Sequence, residues 1–224
     1  SIKNKTKINK MINLQQAFPG VGYETFVLDL TLEKPTKNYD ISIYNFEKSS
    51  YQVSFNFIKE RDVIPIYIKK ELENIIKNIE KDSVKLNTIA KMPRGISVNV
   101  SDKSVVNKNK SDLIKLLTGR NIGKYNIKDD PQYYVPKHLY DEKFKKKKIL
   151  SQNLAYKIVS TLDAKGHLTN DTVNTIYLSN SDYLIEYVLA ILNSKIMIFY
   201  LQNVITNKAK LNIHLDSPYL GEIP

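Results

Sequence analysis

The chain is 224 residues long, enough for one large domain or two small ones with a real core, and its 42% hydrophobic and 25% charged residues exclude wholesale disorder. Cysteine is absent, which rules out a disulfide framework and a cysteine-based zinc site, and the three histidines (His138, His167, His214) show no ligand spacing. The net charge of +11 favours a polyanion, most simply nucleic acid, although 31 Lys against 3 Arg, with abundant Ile and Asn, is also what an AT-rich genome would encode.

The surplus is uneven. Residues 1–90 carry 14 basic and 11 acidic side chains; residues 91–224 carry 20 and 12. The first ten residues are Lys/Asn-rich and lack the apolar run of a signal peptide. A start at Ser1 and an abrupt end at Glu222-Ile223-Pro224 suggest a piece of a larger protein.

Residues 1–17 are polar and give no clear element. Phe26, Leu28, Leu30 and Leu32 alternate, predicting a strand. Pro35 and Asn38 mark a turn, Ile41–Tyr44 a second strand, and the alternation over 51–57 a third, together a small antiparallel sheet. Leu72, Ile75, Ile76 and Ile79 fall at helical spacing, predicting a helix over 71–80 and a domain boundary near it. Residues 97–112 read as an exposed loop, Leu113–Leu117 as a short helical turn, and Thr118–Gly123 as a glycine-punctuated loop. Five lysines in Lys143–Lys148 precede an apolar segment. Lys157–Leu162 and Thr172–Leu178 read as two strands of a hairpin closed by Asp163–Gly166. Residues 183–205 are the most apolar stretch, but Glu186 and Lys195 interrupt it, so a buried helix pair bent at Asn193-Ser194 fits better than a membrane span.

No catalytic constellation stands out. Gly20-Val21-Gly22 precedes a strand where a dinucleotide loop would follow one. Asp163-Ala164-Lys165 is the nearest text to a metal-dependent nuclease, and its turn reading is stronger. Asp216-Ser217-Pro218-Tyr219 resembles a methyltransferase Asp-Pro-Pro-Tyr, but no strand precedes it and no cofactor loop lies upstream. Arg94 and Arg120-Asn121, beside glycines, carry the side-chain types suited to guanine and adenine edges; an ordinary loop salt bridge is the alternative. Tyr133-Tyr134 could stack on bases, but a strand-edge pair packing on the core is the stronger reading.

The order of segments is more specific than any one of them. Arg94-Gly95-Ile96, Leu116-Leu117-Thr118-Gly119-Arg120-Asn121-Ile122, Tyr125-x-Ile127, Lys148-Ile149-Leu150 and Thr161-Leu162-Asp163-x-x-Gly166 follow one another. Then come Leu192-Asn193-Ser194-Lys195 and, about 25 residues later, the ending Tyr219-Leu220-Gly221-Glu222-Ile223-Pro224. Over residues 70–224 this series resembles the C-terminal target-recognition domain of TaqI-like adenine-N6 DNA methyltransferases and their fused restriction–modification relatives. Phe18–Val21 through Phe26–Leu30 resembles the last strands of the methyltransferase domain in the same family.

The resemblance implies an α+β chain in which residues 1–70 end a methyltransferase domain and 71–224 recognise double-stranded DNA. It implies a cytoplasmic protein, with no membrane partner, that works beside a methyltransferase domain outside these residues. That domain flips out an adenine. The family's catalytic motif and S-adenosylmethionine loop do not occur here, so no catalytic residue and no cofactor are expected in this chain. Arg94, Ser97, Asn99, Arg120, Asn121 and Lys124 are the candidates for base contact, and Lys145, Lys146, Lys147, Lys148, Lys208 and Lys210 for phosphate contact. The alternatives are a metal-dependent nuclease fragment, or a basic module that assembles with another subunit.

Overall fold

The computed structural model describes residues 2–20, 24–45, 50–59, 61–208 and 213–224. The fold is α+β, and it divides into two units: Ser1–Lys81 with Asn203–Leu211, and Asp82–Gln202 with Asn212–Pro224.

In the first unit, strands β1 (Lys7–Gln15), β2 (Thr25–Thr31), β3 (Asp40–Tyr44) and β4 (Ser50–Ser54) form one sheet in the order β2-β1-β3-β4. The sheet is mixed, because β1 and β3 run parallel. β1 is a strand that simple alternation does not reveal. A register shift between Ile8 and Lys10 moves the buried positions from Ile8 to Met11 and Asn13, which breaks the period of two. The third predicted strand stops at Ser54, where helix α1 (Phe55–Lys59) begins. Asn38 accepts the Asn56 amide at 3.0 Å, and Phe55 stacks on Tyr39 with ring centroids 4.8 Å apart. Helix α2 (Glu73–Glu80) buries Ile76 and also Glu73, whose two carboxylate oxygens accept the amide and hydroxyl of Ser54 at 2.6 and 2.5 Å. The boundary expected at residue 70 would part α2 from the strands it packs on; the division after Lys81 keeps them together. Asn207 joins this unit by accepting from the Ile66 amide and donating to the Ile64 carbonyl.

The second unit opens with α3 (Leu86–Ile89) and β5 (Ala90–Lys91), followed by β6 (Leu113–Leu117), β7 (Tyr133–Pro136) and β8 (Lys148–Gln152). Next come β9 (Leu154–Ala155), β10 (Ser160–Asp163), β11 (Leu168–Thr169) and β12 (Val173–Leu178). Helices α4 (Ile185–Leu192) and α5 (Lys195–Tyr200), strand β13 (Ile213–His214) and helix α6 (Ser217–Leu220) complete it. Among the described residues the strands make a sheet β10-β8-β12-β5, a sheet β11-β6-β7, and the pair β13-β9.

Two sequence expectations change here. Leu113–Leu117 is a strand and not a helical turn; Leu116 pairs with both Tyr133 and Leu168, between two neighbours. The expected hairpin of β10 and β12 does not exist, because β8 lies between them and pairs antiparallel with each. Connection length does not identify a pairing partner when the chain returns through an earlier strand. Tyr133 and Tyr134 do lie on an edge strand, β7, with Tyr133 packed against the core cluster of Leu116, Val135, Phe144 and Leu168.

The apolar stretch is a helix pair, bent by 52° at its break. Ser194 caps α5 by accepting the Met197 amide at 3.1 Å, and the Asn193 amide group bonds the Ser160 backbone at both N–H and C=O. No single described helix is long and apolar enough to cross a membrane.

Lys148 and Asp163 form a buried ion pair, 2.6 Å apart, at the paired ends of β8 and β10. Asp163 also accepts the amides of Lys165, Gly166 and His167 and the His167 ring Nδ1. Burial opposes its ionisation, but the hydrogen bonds from His167 and Lys148, with their positive charges, outweigh burial and hold the carboxyl well below the usual carboxylate range. A group depressed in the folded state stabilises fully above its unfolded pKa and loses that contribution as pH falls below it. Urea midpoints should therefore drop on acidification below about pH 4, and Asp163→Asn should flatten this part of the profile. Lys148→Met, which strands the buried carboxylate, should lower stability by about 3–5 kcal/mol at neutral pH in the same titration.

Candidate nucleic-acid interface

A cleft of about 680 Å³ opens on the second unit. Its lining comes from four stretches: Ser97, Asn99 and Val100; Thr118, Gly119 and Arg120; Gln152 and Leu154 around the end of β8; and Asn170, Asp171 and Thr172 between β11 and β12, with Tyr133 of β7 beside them. Three residues proposed from sequence for base contact, Ser97, Asn99 and Arg120, are thus brought together.

The Arg120 stretch is held from below. Thr118 caps a single 3-10 turn over Gly119–Asn121 in a capping box, in which Asn121 accepts from the Thr118 amide at 2.8 Å and from its hydroxyl at 3.0 Å. The Asn121 Nδ2 donates to the carbonyls of Lys128 and Pro131. Gln152 donates to the carbonyls of Gly119 and Ile122, and the Gly119 amide donates to the Thr172 hydroxyl at 2.8 Å. This scaffold leaves Arg120 exposed, and its guanidinium makes no ion pair or hydrogen bond among the described residues.

The Ser97–Asn99 stretch is held by Gly95. The backbone passes so close to the next wall that a Cβ at Gly95 would meet the Thr169 carbonyl oxygen at 2.2 Å and that of Asn170 at 2.3 Å. The Ile96 amide donates to the Thr169 carbonyl at 2.8 Å. Residues 97–112 remain largely exposed without regular structure, as the sequence suggests. Asn99 accepts from the Ser101 amide and hydroxyl, which leaves its Nδ2 without a partner among the described residues.

Other sequence candidates lie elsewhere or serve the fold. Asn121 is fully buried and its amide is committed to four backbone or hydroxyl partners, so it is a scaffold residue and not a base contact. Lys148 is likewise fully buried against Asp163 and cannot reach a phosphate. Arg94 pairs with Asp216 at 2.7 Å, the loop salt bridge foreseen as its alternative role. That pairing also gives a structural function to the aspartate of Asp216-Ser217-Pro218-Tyr219. Lys124 is exposed, with its ammonium 5.4 Å from the Tyr125 ring centroid. Lys145 and Lys147 are exposed but paired with Glu142 and Glu186; Lys146 is exposed and unpaired among the described residues. Lys208 belongs to the first unit, 5.0 Å from the Tyr67 ring centroid, and Lys210 lies outside the described residues.

No group of three or more His, Asp or Glu side chains among the described residues could hold a metal ion, so the carboxylates that a metal-dependent nuclease needs do not converge there. Gly20 has positive φ in a turn with open space around its Cβ position, and Gly22 lies outside the described residues.

Most of the residues that line the cleft, from Thr118 to Thr172, fall in a part of the chain that resembles a known specificity domain. Residues 114–224 match the family model described as the TaqI-like C-terminal specificity domain. Among solved structures, the type IIL restriction-modification enzyme MmeI in complex with DNA matches over 89% of this chain at 8% identity, with a TM-score of 0.49. The chain spans 33% of that enzyme's length. No curated protein matches the sequence.

Two adjacent residues separate scaffold from surface. Asn121→Ala strands a buried amide and hydroxyl and should lower stability by about 1–3 kcal/mol, whereas Arg120→Ala should stay within about 0.5 kcal/mol of wild type. Denaturant titration of the two variants checks both.

Proposed function

We propose that this chain reads a short sequence in duplex DNA and presents the duplex to the methyltransferase domain of a site-specific adenine-N6 methyltransferase or restriction–modification enzyme. The observation that carries this reading is the uncommitted guanidinium of Arg120 in a cleft that falls largely within the matched specificity domain. An arginine held on a rigid turn with all its donors free is suited to the two acceptors of a guanine edge. Ser97 and the free Nδ2 of Asn99 supply further donors on the opposite stretch.

The exposed lysines Lys124, Lys145, Lys146 and Lys147 would supply the sequence-independent attraction. Lys145 and Lys147 would exchange solvent-exposed carboxylate partners for phosphates, a small loss because exposed pairs contribute little. S-adenosylmethionine and the methyl-transfer residues would belong to the catalytic domain, and no chemical step is assigned to this chain.

Selection of bound duplexes from a randomised pool tests the reading. One short site should be enriched and should survive an increase from low to near-physiological salt. Arg120→Ala should relax one position of that site by about 1–3 kcal/mol, while Lys146→Ala should weaken all sequences alike and reduce the salt slope by about 1. Binding that enriches nothing and vanishes with salt would overturn the proposal in favour of plain electrostatic attraction.

A further inference from the structure

The cleft contains one residue that an electrostatic reading does not expect. Asp171 lines it, half-exposed, and its carboxylate accepts no hydrogen bond and forms no ion pair among the described residues. Arg120 lines the same cleft, also unpaired, so two opposite charges share one concavity without engaging each other. In a chain of net charge +11, a bare carboxylate facing a phosphate backbone repels it. The arrangement suits DNA only where the carboxylate meets a hydrogen-bond donor.

The backbone around Asp171 is fixed. Asn170 Oδ1 accepts from the Thr172 amide at 3.2 Å and from its hydroxyl at 2.5 Å, an Asx-type turn with Asp171 at its centre. The Asn170 amide donates to the Leu117 carbonyl, and Asn170 Nδ2 donates to the Val98 carbonyl at 3.3 Å. Thr172 in turn accepts the Gly119 amide, so the turns that carry Asp171 and Arg120 are tied directly together. The buried elements hold the neighbours of Asp171 and leave its own side chain uncommitted.

Base edges sort themselves by what they offer such a group. Guanine presents acceptors at O6 and N7, and thymine an acceptor at O4. Adenine sets its N6 donor beside the N7 acceptor. Cytosine alone offers its N4 donor in the major groove with no acceptor on the same base. We infer that Asp171 is a specificity-determining residue that requires cytosine at one position of the recognised site, by accepting a hydrogen bond from N4. The inference rests on the proposed reading of duplex DNA. Arg120 and Asp171 together would make the cleft selective for a guanine and a cytosine, in one pair or in neighbouring pairs.

Pool selection on the 224-residue chain, with wild type, Asp171→Ala and Asp171→Asn in parallel, tests this. Wild type should enrich a site with an invariant cytosine. Asp171→Ala should lose roughly tenfold or more of its discrimination at that position and keep the others. Asp171→Asn, which adds a donor suited to adenine N7, should shift the same position toward adenine. Both variants should keep the wild-type urea midpoint, since the side chain supports nothing in the fold. A wild-type site that both variants select unchanged would overturn the role of Asp171 and leave DNA reading intact. Failure of wild type to enrich any site would overturn the DNA reading and this inference with it.

Discussion

The second unit depends on a charge pair that it has taken out of water. Lys148 and Asp163 have no access to solvent beyond a trace, and neither would be tolerated there alone. The pair is supported by further bonds: Lys148 also donates to the Phe144 carbonyl, and Asp163 gathers three successive amides and an imidazole nitrogen. It locks the start of β8 between β10 and the turn into β11. From that fixed end β8 runs to Gln152, which holds the Arg120 turn from beneath. An interaction remote from the cleft thereby sets where the exposed guanidinium sits.

Asparagine does for the loops what the ion pair does for the sheet. The strands are short, so many backbone groups end without a ladder partner. Asn121 supplies those bonds for the Thr118 turn, and Asn193 for Ser160 beside the helix break. Asn174 bonds the Leu215 carbonyl at 2.6 Å and accepts from Asn153 at 3.1 Å, which ties the C-terminal stretch to β12. These amides are buried. An Asn-rich composition that reads as codon bias therefore also contains the devices that let irregular backbone lie inside the protein.

Local periodicity in the chain encodes part of the fold. β2, β3, α2 and the bent helix pair follow from patterns of two or of three to four residues, and the break falls at the Asn193-Ser194 pair that interrupts the apolar run. The ordered series of short motifs pointed to the specificity family that residues 114–224 match. Periodicity did not reach β1, where a bulge breaks alternation, or the insertion of β8 between β10 and β12, because pairing is a long-range choice. Of the cleft, Ser97, Asn99 and Arg120 were visible as polar residues in or near glycine-containing loops. Asn121 and Lys148 looked no different from them, since burial depends on strands that arrive from elsewhere in the chain. Asp171 carried a faint signal, the Asn-Asp-Thr text of an Asx turn, which marks a turn and not a pocket.

With no room for a single methyl group between Gly95 and the carbonyls of Thr169 and Asn170, the stretch bearing Ser97 and Asn99 is welded to the turn bearing Asp171. The Gly119 amide welds the Arg120 turn to that same turn. Three walls of the cleft are therefore tied to one turn. On the proposed reading of DNA, a new target sequence would be reached by exchanging side chains at Arg120, Asp171 and Asn99 on the same backbone, since lengthening one wall would displace the others.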